Sequence, residues 1–396
     1  MRSVALIGPE LFPIPPIRGG AAELFIDSTA HRLKNWQPVI IGPDDPELPR
    51  REKRGPVEYI RLPFGKLKRW LYRRYNRFFP YYEEQVAAVI QEVEPQILHV
   101  HNRPRLAAFL KKKFPRKPVL LHMHNLAAIL GKRERLSAGQ PPAWEAFIAC
   151  SRFVLEQEKD HLGRGAREHV VLYNGVDPAL FPSVWEHPQE VRRQRQKWGL
   201  KDEPTVLFVG KIRASKGVGL LLQAMNLVWR RIPPAVLILV GGTEFGRGRT
   251  GRVTPFLKDL QAQIAHAPGR VILTGFIPPA HIPPMYLLGD LFVGPSQNNE
   301  GLGIVFLEAS ASGLPVIATS MGGIPEVVIN DVNGVLLAQK DDPQELADNI
   351  LFLLLNEPRR RQLGQQGRKL VLDNFTWDNI ARLQEELYDN ILKGGT

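Results

Sequence analysis

Short, nearly continuous apolar runs recur along the chain, and each is followed by a stretch with apolar residues at helical spacing. In the first half the runs are SVALIG (3–8), PVIIG (38–42), ILHVH (97–101), VLLHMH (119–124), AFIAC (146–150) and VVLYNG (170–175). They are rich in β-branched residues and lack the alternation of a half-exposed strand. That is the pattern of parallel strands covered on both faces. Helices are expected between them over 20–34, 81–93, 104–113 and 152–162. The second half starts the pattern again with TVLFVG (205–210), AVLILVG (235–241), VILTG (271–275), DLFVGPS (290–296), PVIAT (315–319) and GVLLA (334–338). Its helices are expected near 217–231, 254–266, 280–287, 304–312, 343–355 and 358–373.

Such alternation gives parallel sheets with helices on both faces. The fold class is therefore α/β, with two Rossmann-like domains, a first over 1–185 and a second over 186–374. The polar stretch 181–204 separates them. A closing helix within FTWDNIARLQEELYDNIL (375–392) is expected to return to the first domain. Two such sheets in one chain predict a cleft between them, with ligands beyond the carboxyl ends of the strands.

Length and composition agree with this plan. A chain of 396 residues with 44% hydrophobic content fits two domains with ordinary cores. No apolar run approaches the roughly 18 residues of a membrane span, and the N-terminus lacks the pattern of a signal peptide. The single cysteine, Cys150, excludes an intrachain disulfide, so the expected location is cytoplasmic.

Charge changes the picture in one region. The formal net charge is +12; residues 1–180 hold 29 Lys/Arg against 19 Asp/Glu, and the remainder 23 against 21. Much of the excess lies in PRREKRGPVEYIRLPFGKLKRWLYRRYNRFF (49–79), where basic residues interleave with aromatics. One reading is a solvated helix with an aromatic core face. The other is peripheral contact with an anionic membrane or acceptor. No nucleic-acid-binding motif accompanies the charge, so that class is set aside.

Candidate chemistry clusters at strand ends. NNEGLGIVFLEASASGLPVIA (298–318) places Glu300 in a loop after a strand, with helix signals from Gly303-Ile304 to Gly313. A helix starting there points free N–H groups at an anion. Glycines 301 and 303 admit a ligand close to the backbone. Glu308, about a turn further on, could accept hydrogen bonds from vicinal hydroxyls. Alone, the spacing fits two solvated helix-end glutamates as well. FVGKIRASKG (208–217) sets Lys211 and Lys216 where cations could neutralise a diphosphate, although each also reads as a surface lysine. ATSMGGIPEVV (318–328) adds the pair Gly322-Gly323. PIRGGAAE (16–23) adds Gly19-Gly20 before a helix; it is not G-x-G-x-x-G, so nothing favours a dinucleotide. The histidines His99, His101, His122 and His124 alternate along two strands. Members of each pair are expected to face opposite sides, and with no carboxylate nearby a metal is not expected. His124, at its strand's end beside Asn125, is the cleft candidate; His99 and His122 read as core.

Taken in order, the GG near the N-terminus, the strand-end histidine, YNGVD, VGK with its following KG, PS with EGLGIVFLEASASGLPVIAT, then GGIPEVV and NG resemble the retaining glycosyltransferase family 4, of GT-B fold. The resemblance covers nearly the whole chain. The segment HVHNRPRLAAFLKKKFPRKPVLLHMHN is further similar to spore-coat-type members from Gram-positive bacteria. By position, the resemblance implies that Glu300 and the amides of Gly301, Leu302 and Gly303 hold the donor sugar's hydroxyls. Ile304 and Val305 amides would meet the diphosphate and Glu308 the ribose. Lys211 and Lys216 would stabilise the leaving nucleotide diphosphate, and Gly19 and Gly20 would complete the phosphate site on domain closure. His124 would touch the transferred sugar, and the base would stack near Gly275, Phe276 and Ile277.

Two positions depart from the family pattern. Lys211 stands where Arg is usual, replacing a bidentate fork by a point charge, with Arg213 as a compensating cation. Leu302 replaces Phe, where only backbone contacts are expected. The implied donor is a nucleotide sugar, with UDP expected, and the acceptor a glycan or lipid-linked glycan. No D-x-D is present, so no metal or other cofactor is expected. Retention without an evident carboxylate nucleophile implies front-face attack, with Glu300 as covalent nucleophile the lesser option. An epimerase or phosphorylase on the same scaffold, and a non-catalytic coat or glycan-binding protein, are the competing classes.

Overall fold

The apolar runs become strands, and the strands assemble into two sheets. The computed structural model describes residues 2–63, 81–130, 144–243 and 254–394. They divide into two compact units, Met1–Asn174 with Trp377–Thr396, and Gly175–Thr376.

The first unit contains β1 (Arg2–Ile7), β2 (Trp36–Pro43), β3 (Arg51–Arg54), β4 (Val57–Leu62), β5 (Ile97–His101), β6 (Val119–Met123), β7 (Ala146–Ala149) and β8 (Glu168–Val171). Their order is β3-β4-β2-β1-β5-β6-β7-β8. All pair in parallel except β3, which runs antiparallel to β4 at the edge. This hairpin corrects the helical reading of the basic stretch over 51–62. Gly55 (φ 57°) and Pro56 break any helix there, while Val57, Tyr59, Ile60 and Leu62 are buried. Residues 64–79 of that stretch lie outside the described residues.

A second correction concerns the histidines. Strand side chains repeat with period two, so residues two apart share a face. His99 and His101 therefore point the same way, and β5 and β6 pair with His101 opposite His122. All four rings stack together, with centroids 4.1–5.4 Å apart along the cluster. Opposed faces therefore do not separate them as potential ligands.

The closing helix, Trp377–Lys393, lies on this unit. Its buried stripe is Trp377, Ile380, Ala381, Gln384, Leu387, Tyr388 and Ile391, the spacing of an amphipathic face. Tyr388 Oη lies 2.6 Å from His99 Nδ1, and Asp389 accepts from the Trp36 indole at 3.1 Å. Glu385 accepts from the Lys34 and Asn35 amides, both at 2.7 Å.

The second unit holds β9 (Thr205–Val209), β10 (Val236–Val240), β11 (Arg270–Leu273), β12 (Leu291–Gly294), β13 (Val316–Thr319) and β14 (Gly334–Leu337). They form a parallel sheet in the order β11-β10-β9-β12-β13-β14. The helices Val218–Trp229 and Pro343–Leu355 pack their apolar faces on one side of it. Where a helix was expected over 280–287 the chain makes 3₁₀ turns, Pro279–His281 and Pro283–Leu288. Prolines 278, 279, 283 and 284 remove the N–H groups an α-helix needs. The division between units falls at 174/175 rather than 185/186. Residues 175–185 are bonded into the second unit: Val176 N–H donates to Phe375 O, Val184 N–H to Ser312 O and Trp185 Nε1 to Gly313 O, at 2.8–2.9 Å.

The Trp377 side chain is 3% exposed and meets Phe25 edge-on at 5.8 Å. Trp377→Ala is expected to cost about 3 kcal/mol or more of first-unit stability, measured by urea unfolding. A loss below about 1 kcal/mol would show that the closing helix is a passenger.

Candidate active site

The carboxyl end of the second sheet gathers three loops. After β9 the chain runs through Lys211 and Arg213 into the turn Ala214–Lys216, which ends at Gly217 with φ 72°. A Cβ on Gly217 would fall 1.9 Å from the Pro295 carbonyl oxygen, so a side chain would push the first loop off the second. Gln297 N–H donates to Ser215 O at 2.9 Å, stitching the same two loops. The second loop, after β12, leads through Ser296 and Glu300 to the Ile304–Ala311 helix. The third, after β13, touches it where Glu300 bridges to Gly322. A Cβ on Gly322 (φ 66°) would lie 2.2 Å from Glu300 O, and Gly323 N–H donates to that oxygen at 2.9 Å.

This frame aims the Glu300 side chain. Its Oε1 receives Lys216 Nζ at 2.5 Å and Ser296 Oγ at 2.8 Å. Lys216 keeps about a third of its side chain exposed and Glu300 about a sixth, so the pair is open enough to meet a ligand. Lys211 is more enclosed. Burial pushes its ammonium down to about 8, aided by repulsion from Arg213 and Lys216 and opposed by Glu300. Arg213 itself is turned to the Thr243 carbonyl, with Nε and Nη2 both 3.2 Å away.

Beyond Glu300, Leu302 is 2% exposed, so its side chain is packed inside the unit. Gly303 is the N-cap of the Ile304–Ala311 helix and no side chain caps that end. The first amides of a helix have no partner within it, which suits Ile304 and Val305 to an anion. Glu308 follows on the same helix, half-buried, and accepts from Tyr286 Oη at 2.7 Å. Burial raises its carboxyl to about 7, against the pull of the Tyr286 hydrogen bond. Gly275, Phe276 and Ile277 follow β11 and are partly covered. Gly275 bridges to Gly241, next to the Gly242–Thr243 turn that anchors Arg213.

The remaining predicted residues belong to the first unit. His124 is 3% exposed. Its Nε2 lies 3.0 Å from His101 Nδ1 and burial lowers its pKa to about 3. Its amide donates to Asn102 Oδ1 at 2.7 Å, from an Asn102 held at φ 53°. Gly19 and Gly20 precede the Ala21–Ala30 helix as expected, but the Glu23 carboxylate folds back onto Gly20, where a Cβ would meet Oε2 at 2.0 Å. Burial, with Glu10 adding to it, raises Glu23 to about 8.

Sequence reasoning missed Tyr286, Ser296, Asn102 and Glu23 as supports of these groups. Ser296 had a signal, standing four residues before Glu300; Tyr286, distant in sequence and inside an apolar run, had none.

Residues 190–370 match the glycosyl transferases group 1 model, and residues 19–180 match glycosyltransferase family 4. D-inositol 3-phosphate glycosyltransferase of Xylanimonas cellulosilytica is 30% identical over 70% of this chain and 67% of its own. The chain belongs to this glycosyltransferase family. Spore coat protein SA of Bacillus subtilis is a further similar protein, 28% identical over 98% of this chain and 99% of its own. Anabaena Alr3699/HepE, solved with UDP and glucose, shares the fold with TM-score 0.71, 22% identity and coverage of 97% and 99%. The two parallel-sheet units are thus those of a GT-B glycosyltransferase, and the loops above are where its sequence motifs fall.

Folded, Glu308 keeps its proton to about pH 7, whereas its unperturbed carboxyl releases it near 4.5. The folded state binds the extra proton between these values, so this group's effect is to lower stability as pH rises from 4.5 to 7. Glu308→Gln removes the titration. Its unfolding equilibrium relative to the parent is expected to shift in favour of the folded variant by roughly fiftyfold between pH 5 and 7.5. Urea unfolding at both pH values measures it, and an unchanged ratio would contradict the buried-carboxyl assignment.

Proposed function

We propose that this glycosyltransferase moves a sugar, with retention, from a UDP-sugar to a glycan or lipid-linked glycan, without a metal at the diphosphate. The observation that carries the reading is the Lys216–Glu300 pair set directly before an uncapped helix start. Leaving of a nucleoside diphosphate builds negative charge on phosphate. Fixed N–H dipoles and ammonium groups stabilise such charge best where they are already in place. Lys211, Lys216 and the Ile304 and Val305 amides supply that field. Glu300 and the amides of 301–303 take the sugar hydroxyls, Glu308 the ribose, and Gly275–Phe276–Ile277 the base. In the first unit, His124 is assigned to the transferred sugar and Gly19 and Gly20 to the phosphate site.

Glu300 is a poor covalent nucleophile in this setting. One of its oxygens already accepts from both Lys216 and Ser296, so that oxygen is occupied. Attack by the acceptor on the face that the diphosphate leaves, with that phosphate taking the acceptor's proton, uses the groups present. UDP is favoured because a protein of the same fold is described with UDP and glucose. A lipid-linked acceptor would draw the enzyme to an anionic surface, and the basic 49–79 stretch is the segment proposed to meet it. Among the described residues no helix is long and apolar enough to cross a membrane.

Lys211 provides the test. An incoming diphosphate favours the charged ammonium, so binding takes up a proton when Lys211 is partly neutral beforehand. UDP affinity is expected to fall by up to about tenfold per pH unit above 8, and Lys211→Arg, always charged, should flatten that fall. Calorimetric titrations of UDP, GDP and ADP at pH 7 and 9 read both points. A preference for GDP or ADP would overturn the donor assignment, and a slope unchanged in Lys211→Arg would remove Lys211 from the diphosphate. Turnover is expected to be the same with and without added Mg²⁺ or Mn²⁺; stimulation by either would overturn metal independence.

A further inference from the structure

The first unit carries a cluster that the transfer reaction does not explain. His99, His101 and His122 are 0% exposed, on the same face of β5 and β6. Phe25 covers them, its ring 4.7 Å from that of His122 and 5.7 Å from that of His101. Their ligand nitrogens all lie within 4.8 Å of one another. Nε2 of His99, Nε2 of His101 and both nitrogens of His122 are buried with no hydrogen-bond partner. Unpartnered buried polar atoms are rare because each loses its water without compensation, so four in one cluster need a cause.

The second ring nitrogens are already engaged. His99 Nδ1 faces Tyr388 Oη at 2.6 Å, and Gln384 donates to the same oxygen at 2.5 Å. His101 Nδ1 faces His124 Nε2 at 3.0 Å. With the protons on Nδ1, both histidines donate outward and present an Nε2 lone pair to the centre. Ligating imidazoles are held in this way, by a hydrogen bond from the other nitrogen.

We propose that His99, His101 and His122 bind one transition-metal ion of the zinc class inside the first unit. Three neutral imidazoles with no carboxylate suit a borderline-soft ion such as Zn²⁺ or Co²⁺, whereas Mg²⁺ and Ca²⁺ demand oxygen ligands. Ligation at about 2.0–2.1 Å draws the three nitrogens inward. The ion acts as a structural and positioning centre. By holding His101 it keeps the Nδ1 proton directed at His124 Nε2 and so fixes the tautomer of His124. The site meets the proposed donor assignment only through His124, and its test reads metal content and stability rather than turnover.

The full chain is unfolded in EDTA, refolded with and without Zn²⁺, and passed through a chelating column before elemental analysis. The expected result is about one zinc per chain and a melting temperature raised by several degrees. Both are lost in His122→Leu, while His266→Ala, on the surface, keeps them. Refolding with Co²⁺ should give visible absorption of a tetrahedral centre. If His122→Leu does not fold, His99→Gln is read in its place. Zinc at background with an unmoved melting temperature would overturn the proposal. So would a His122→Leu variant that is at least as stable as the parent in zinc, the result expected if the rings only fill the core.

Discussion

The backbone of Glu300 is pressed against Gly322 so closely that no side chain fits between them. That contact ties the loop after β12 to the loop after β13. Gly217 against Pro295 ties the loop after β9 to the same place. Adjacent parallel strands bring the three loops to one edge, and two glycines let them touch. Everything chemical follows from this closeness. Lys216 reaches Glu300 because the first loop cannot drift away, and the Ile304–Ala311 helix starts where the second loop runs out.

The two lysines then differ for a physical reason. Lys216 is paired with Glu300 and partly exposed, so it orients that carboxylate while keeping its ammonium open to an anion. Lys211 is more enclosed and sits among like charges, which makes its proton easy to lose and an anion welcome. An uncapped helix start beside them adds dipole without adding a titratable group. Burial leaves Glu308 partly protonated near neutral pH, and the Tyr286 hydroxyl holds its orientation. On the proposed function, such a site stabilises a departing diphosphate with groups already positioned, so little reorganisation accompanies the reaction.

Much of this frame was legible from the chain. Buried parallel strands announce themselves by continuous β-branched runs, and those assigned to both sheets stand within a few residues of their predicted places. Glu300, Glu308, Lys211 and Lys216 were legible because strand ends, glycines and a helix start lie close together in sequence. The Arg51–Leu62 hairpin was hidden because charge dominates its composition, while Val57, Tyr59, Ile60 and Leu62 are buried between the charges. The histidines went wrong through the strand period itself: residues two apart share a face, and the register of β5 on β6 then stacks all four. Tyr286 on Glu308, and Tyr388 on His99, are contacts across long sequence separations that no local pattern carries. The proline-rich 278–284 stretch shows the converse, where apolar spacing suggested a helix and missing N–H groups forbade it.

Amide hydrogen exchange with and without UDP tests most directly the claim that a nucleotide diphosphate rests on the backbone after Glu300. Slowed exchange concentrated at 301–305 and in the 211–217 loop is the predicted result. Slowing that leaves both segments unchanged, with UDP demonstrably bound, would contradict it.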